Sequence, residues 1–258
     1  MPNLTTAIIY EHPLNERLRF FLRLEFLFRL ARHSLRSNTV WDSHNSLTAL
    51  LEILSIVSRI DMKTEVIKEL ERINTTLTAL TQTPGVNTDT LSQLLTTLGG
   101  FKTQLHGMSG QLAQALRENE LFKLVTQRSG IPGGLCDFDL PPYRHWLKQP
   151  ADVRTEKLRY WLSTLDTLRL SVELMLKLIR ESADAIPQIA TGGNYQQNLD
   201  TGTPYQLIRV WLPADSPLFV EISAGKHRLT ARFLSASDTV RPTQTDADVE
   251  FHISCCAL

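Results

Sequence analysis

Three cysteines in 258 residues are too few for a disulfide framework, and two of them, Cys255 and Cys256, are adjacent. Twelve glycines and twelve prolines, with 42% apolar and 21% charged residues, exclude collagen-like, low-complexity and disordered classes. Charge of one sign is also lacking. Lys+Arg and Asp+Glu both total 27, which leaves no global basic excess to hold a polyanion. No uncharged apolar run reaches the roughly 18 residues that a membrane span needs. Even the most apolar stretch, Leu18–Leu30, is interrupted by Arg19, Arg23, Glu25 and Arg29. The opening MPNLTTAIIYEHPLNE has no basic segment followed by an apolar one, so no signal peptide is expected. The expectation is a soluble, cytoplasmic chain with a sizeable core.

From Leu14 to about Ala185 the apolar period is helical. Leu14–Arg36 carries its cations on two strips, Arg19/Arg23 and Arg29/Arg32/Arg36, spaced three or four residues apart and so on shared faces. Ser46–Arg59 is a second helix. Asp61 is the expected N-cap of a third, whose residues Met62, Val66, Leu70, Ile73, Leu77 and Leu80 step by four or three. That helix packs in its own bundle or forms a dimer face. Asp89–His106, Gln111–Arg128, Asp152–Leu165 and Thr167–Ser182 complete the set. The last is apolar nearly all round, as suits the centre of a bundle.

Past Ile186 the period becomes two. Residues 192–202 read as a polar linker, followed by strands at Tyr205–Leu212, Leu218–Ser223, Lys226–Leu234 and Val249–Ser254. Ala224-Gly225 marks a tight hairpin connection. Ala7–Tyr10 and Leu135–Leu140 also look extended, and lone strands are unstable in water, so both are expected to pair with the C-terminal sheet. The fold class is therefore α+β: an N-terminal all-helical bundle with a small antiparallel β-domain that is discontinuous in sequence. The expected boundaries are 13–185 for the bundle, with an extended 131–141 segment packing on the β-domain, and 1–12 with 186–258 for the β-domain.

No phosphate-binding glycine loop, GxSxG or HExxH is present, and seven scattered histidines lack ligand spacing. No catalytic residue, metal or cofactor is expected. Cys136 with His145 is a conceivable thiolate pair, but Cys136 falls on the apolar parity of its segment and reads as a buried free thiol. Residues 226–233 are more informative. His227, Leu229, Ala231 and Phe233 would face inward, with Lys226, Arg228, Thr230 and Arg232 outward. On period alone this is a solvated face. However, the strand holds no acid, although residues 187–258 contain five Lys/Arg against seven Asp/Glu. Concentrated positive charge on a near-neutral domain suits a short anionic peptide better than a duplex.

EHPLNERLRFFLRLEF (11–26) resembles the opening signature of the bacterial ZapD family, Z-ring-associated cell division proteins. KELE (68–71), PGV (84–86), SGIPGG (129–134), FDLP (138–141), HWL (145–147), LIR (178–180), YQQ (195–197) and GKHRLTARF (225–233) extend the resemblance in order over nearly the whole chain. It implies a helical domain joined to a small β-domain, a homodimer, and binding to the C-terminal tail of FtsZ that bundles filaments at midcell. The positions matching the family's cationic tail-binding face are Arg23, Arg59, Arg228 and Arg232, with Lys226 beside them by parity. Arg144 stands where the family has a histidine and keeps the charge. Glu120 stands where the family is basic, which weakens one edge of the patch. The alternative is a nucleic-acid-binding or other dimeric adaptor using the basic face; neutral net charge and few stacking aromatics speak against nucleic acid.

Overall fold

The computed structural model describes residues 6–235 and 241–258. Two compact units divide the chain: Phe20–Met175, and Met1–Arg19 together with Leu176–Leu258.

The helices are α1 (Glu16–Ser34), α2 (Val40–Arg59), α3 (Met62–Ala79), α4 (Thr88–Gly107), α5 (Gln114–Glu118), α6 (Glu120–Ser129), α7 (Pro141–Leu147), α8 (Ala151–Ser163) and α9 (Asp166–Arg180). Helix α2 starts earlier than its apolar pattern because Thr39 and Asp42 form a capping box. Asp61 caps α3 as expected, accepting from the Thr64 amide at 3.2 Å. The stripe Val66, Leu70, Ile73 and Leu77 is buried, and α3 packs against α4, which buries Leu91, Leu98 and Leu105. Phe122 of α6, Tyr143 and Trp146 of α7 and Trp161 of α8 form an aromatic core, with Phe122 and Trp161 edge-to-face at 4.7 Å.

Three expectations are corrected in this part of the chain. Gln111–Arg128 is two helices, because extended backbone at Asn119 breaks the first and its Oδ1 caps the second through the Leu121 amide at 3.1 Å. Leu135–Leu140 is a series of turns, not a strand. Two of its amides are taken by local turns, Cys136 N by Gly133 O at 2.9 Å and Leu140 N by Cys136 O at 3.2 Å. Phe138, expected inward, is 83% exposed, and the whole segment belongs to the helical unit. Helix α9 is one-sided: Leu168, Val172, Met175 and Ile179 are buried, whereas Leu170 is exposed.

The strands are β1 (Ile8–Pro13), β2 (Ile186–Ala190), β3 (Asn194–Asn198), β4 (Leu207–Leu212), β5 (Leu218–Ala224), β6 (Arg228–Ser235), β7 (Thr243–Gln244) and β8 (Val249–Cys256). They form one sheet in the order β1-β4-β8-β2 and another in the order β3-β6-β5, with β7 beside β6, all pairs antiparallel. The inner faces meet through Ile208, Val210, Leu229, Ala231, Phe233, Phe251 and Ile253, with the Phe233 and Phe251 rings 4.9 Å apart. Extended chain near residue 8 does pair with the C-terminal sheet, Ile8 opposite Leu212.

Glu11 ties this unit together. Its Oε1 accepts from Arg180 Nε at 2.8 Å and from Arg209 Nε at 3.0 Å, and its Oε2 accepts from Arg180 Nη2 at 2.8 Å. Arg209 also lies over the Trp211 ring at 4.7 Å.

Two corrections fall on the β-unit. The expected linker 192–202 contains β3. Gly192 and Gly193, at φ +54° and +68°, make the two-residue turn that folds β3 back after β2, with Thr191 bridging Asn194. The charged strand begins at Arg228 rather than Lys226, because the Gly225 amide donates to Arg228 O at 3.0 Å and closes a turn with Lys226 and His227 at its tip. His227 is consequently exposed and outside the core.

Candidate functional site

Strand β6 places its charge by alternation. Leu229, Ala231 and Phe233 are buried among the core residues, so Arg228 and Arg232 face solvent, and Lys226 is exposed at the hairpin tip. Arg232 Nη2 donates to Glu221 Oε2 at 2.6 Å, with both side chains about half exposed. The acid that the strand lacks therefore stands directly opposite, on β5. Lys226 and Arg228 meet no carboxylate among the described residues.

On the other side of β6, β3 sets Asn194 opposite Arg232, Gln196 opposite Thr230 and Asn198 opposite Arg228. The outward face is thus rows of amide, hydroxyl and guanidinium groups, rich in hydrogen-bond donors and suited to carboxylates and peptide carbonyls. Glu221, Asn194 and Asn198 carried no signal in the sequence, and Gln196 entered only within the YQQ motif. Gly192-Gly193 after the apolar Ile189-Ala190 was the available hairpin signal.

In the helical unit, exposed Arg23 on α1 has its guanidinium carbon 5.7 Å from the centre of the Phe20 ring. Arg59, the last residue of α2, is exposed at a cleft of about 550 Å³ lined by Leu54, Leu116 and Phe122. Two other rim cations are engaged: Arg117 donates to Val57 O at 3.3 Å and Leu112 O at 3.2 Å, and Lys123 pairs with Glu120 at 2.6 Å. Glu120, the departure from the family pattern, thus neutralises a neighbouring lysine. Arg144 on α7 is half-buried and forms an ion pair with Asp137. Arg23, Arg59 and Arg144 lie on three different helices and share no ion-pair partner among the described residues.

Cys136 is half-buried rather than buried, and its Sγ lies 3.7 Å from Asp139 Oδ2, while His145 is exposed. Burial pushes the Cys255 thiol up to about 11, with Cys256 adding to the effect, and burial raises Cys256 as well. Among the described residues, no cluster of three or more His, Cys, Asp or Glu is arranged to hold a metal, and no helix is long and apolar enough to cross a membrane.

A family profile described as ZapD, cell division protein, matches residues 22–232. The cell division protein ZapD of Methylococcus capsulatus is 41% identical over 251 residues, covering 97% of this chain and 98% of its own. That of Cupriavidus taiwanensis is 38% identical over 250 residues (96% and 99%), and that of Aromatoleum aromaticum 36% over 252 residues (98% and 98%). Full-length similarity of this kind, on a helical bundle joined to antiparallel sheets, means that the chain belongs to the ZapD family of cell division proteins.

Proposed function

We propose that the chain binds the acidic C-terminal tail of FtsZ and, as a homodimer, cross-links FtsZ filaments at the cytoplasmic midcell ring. The observation that carries this reading is the exposed cationic row on β6, where Arg228 and Lys226 have no carboxylate partner among the described residues and Arg232 has only an exposed one. Arg23, Arg59 and Arg144 are the further cations that the family's tail-binding face implies.

Magnitudes fit a reversible cross-linker. Exposed ion pairs contribute ~0.2–1 kcal/mol each, so a single tail contact is weak. Two sites on one dimer facing closely spaced tails gain roughly 10²–10⁴ in avidity without any new contact. The test is co-sedimentation with FtsZ filaments, with and without the tail, beside light scattering of the free protein. Tail-dependent pelleting and a mass about twice 29.2 kDa are expected. A monomer at micromolar concentration, or pelleting indifferent to the tail, overturns the mechanism.

A further inference from the structure

Helices α1, α8 and α9 bring three arginines to one cleft of about 360 Å³. Arg32 and Leu35 line it from α1 and the residue that follows it, Arg159 and Leu162 from α8, and Asp166 and Arg169 from α9. All of them lie in the helical unit, and none is among the cations read above as facing the FtsZ tail.

The acids at this cleft are both spent on one guanidinium. Arg169 Nε and Nη2 donate to Asp166 Oδ1 at 3.0 and 2.8 Å, and its Nη1 donates to Glu173 Oε1 and Oε2 at 3.1 and 3.0 Å. Glu173 also stands 3.7 Å from Arg32, too far for a hydrogen bond. Exposed Arg159 meets no carboxylate among the described residues. Three guanidiniums therefore face two carboxylates, and the spare charge lies on the forks of Arg32 and Arg159. Beside them Leu162 is buried and Leu35 half-buried, so the cleft has an apolar side as well as a cationic one. Its volume is at the small end of the range for sites that hold a small molecule.

We propose that this cleft binds a phosphate monoester, with the phosphate on the forks of Arg32 and Arg159 and the organic part on Leu35 and Leu162. A carboxylate is filled by one guanidinium fork. A phosphate monoester offers three acceptor oxygens and a charge of about −1.5 to −2 near neutral pH, so it can take one fork from each helix. Asp166 and Glu173 oppose an anion, which leaves the affinity resting on the two uncommitted arginines. Such a group arrives on a soluble metabolite or on a lipid headgroup, and the test separates the two.

The experiment is isothermal titration of the full chain, at fixed ionic strength, with adenosine monophosphate, inorganic phosphate and adenosine. Flotation with phosphatidylcholine vesicles, with and without phosphatidic acid, runs beside it. Saturable heat from the monophosphate and none from adenosine marks a soluble source. Flotation that needs phosphatidic acid, without heat from the monophosphate, marks a lipid source. Either signal should weaken about tenfold or more in Arg32→Gln and in Arg159→Gln, the loss of one charge-assisted hydrogen bond. Arg128→Gln, at an exposed arginine on α6, should change nothing. Both cleft arginines are exposed, so the melting temperature of the free variants should hardly move. Should Arg32→Gln fail to fold, Arg32→Lys decides: it keeps the charge, loses the fork and should bind several-fold weaker. Binding of no probe, binding that chloride matches at equal ionic strength, or binding unchanged in both glutamine variants overturns the proposal.

Discussion

Glu221 and Arg232 face each other across the β5–β6 pair at 2.6 Å, so one of the two cations on the charged strand is already answered within the chain. A tail carboxylate has to displace Glu221 to use Arg232 fully. Glu221→Gln should therefore strengthen tail binding, by up to about fivefold if the exposed pair is worth up to ~1 kcal/mol. The melting temperature should hardly move. Anisotropy titration checks it, and weaker binding in the variant would mean that Glu221 orients Arg232 rather than competing for it.

Binding and folding should separate along β6. Arg228→Glu with Arg232→Gln removes the attraction and adds a repulsion at exposed positions, at a cost within ~0.5 kcal/mol each. Glutamine is chosen at 232 because a glutamate there would oppose Glu221 directly. Filament bundling, read by light scattering, should be lost in a folded protein. Phe233→Ala, at a ring with 0% exposure, should instead cost ~3–5 kcal/mol and lose binding only as the fold melts. Normal bundling by the double variant would remove β6 from the site.

The Glu11 bridge makes a stability prediction remote from this surface. Glu11→Gln leaves Arg180 and Arg209 short of a charged acceptor in a region where all three side chains are less than a fifth exposed. A loss of about 1–3 kcal/mol is expected. It reads as a fall in melting temperature of about 2–12 °C, with tail affinity of the folded protein unchanged.

Acid should weaken the fold through histidine. Burial lowers the pKa of His44, whose Nδ1 is 2.7 Å from Tyr143 Oη, and burial with Arg19 nearby lowers that of His12. The unfolded chain takes up these protons below about pH 6.5 while the folded one resists, so their contribution is whole above that value and falls as pH drops through it. The melting temperature should decline from about pH 7.5 to about 5.5, and His44→Gln should flatten the decline. An unchanged slope would place the proton uptake elsewhere.

Much of this was legible because polarity and geometry agreed. Helix α3 announces itself through Asp61 and an apolar stripe with charges opposite, and Arg228 and Arg232 face outward because Leu229 and Phe233 fix the parity. Strand β3 was opaque for the converse reason: its inward row, Tyr195 against Phe251 and buried Leu199, is interrupted by polar Gln197, so period two is faint, and Gly192-Gly193 was the clearer sign of a hairpin. Glu221 could not be paired with Arg232 without the register of two strands. Phe138 misled because its apolar alternation is real, but the chain after Gly133 folds into turns, with the Cys136 and Leu140 amides bonded locally.

The order of strands has a consequence for synthesis. Strand β8 lies between β4 and β2, so β2 has no ladder partner in its sheet until residues 249–256 emerge from the ribosome. At roughly 5–20 residues per second, β1 waits on the order of 10–50 s for that sheet to close. Throughout that interval β4 has one open side and β2 has none of its ladder, and only the arrival of β8 joins the two.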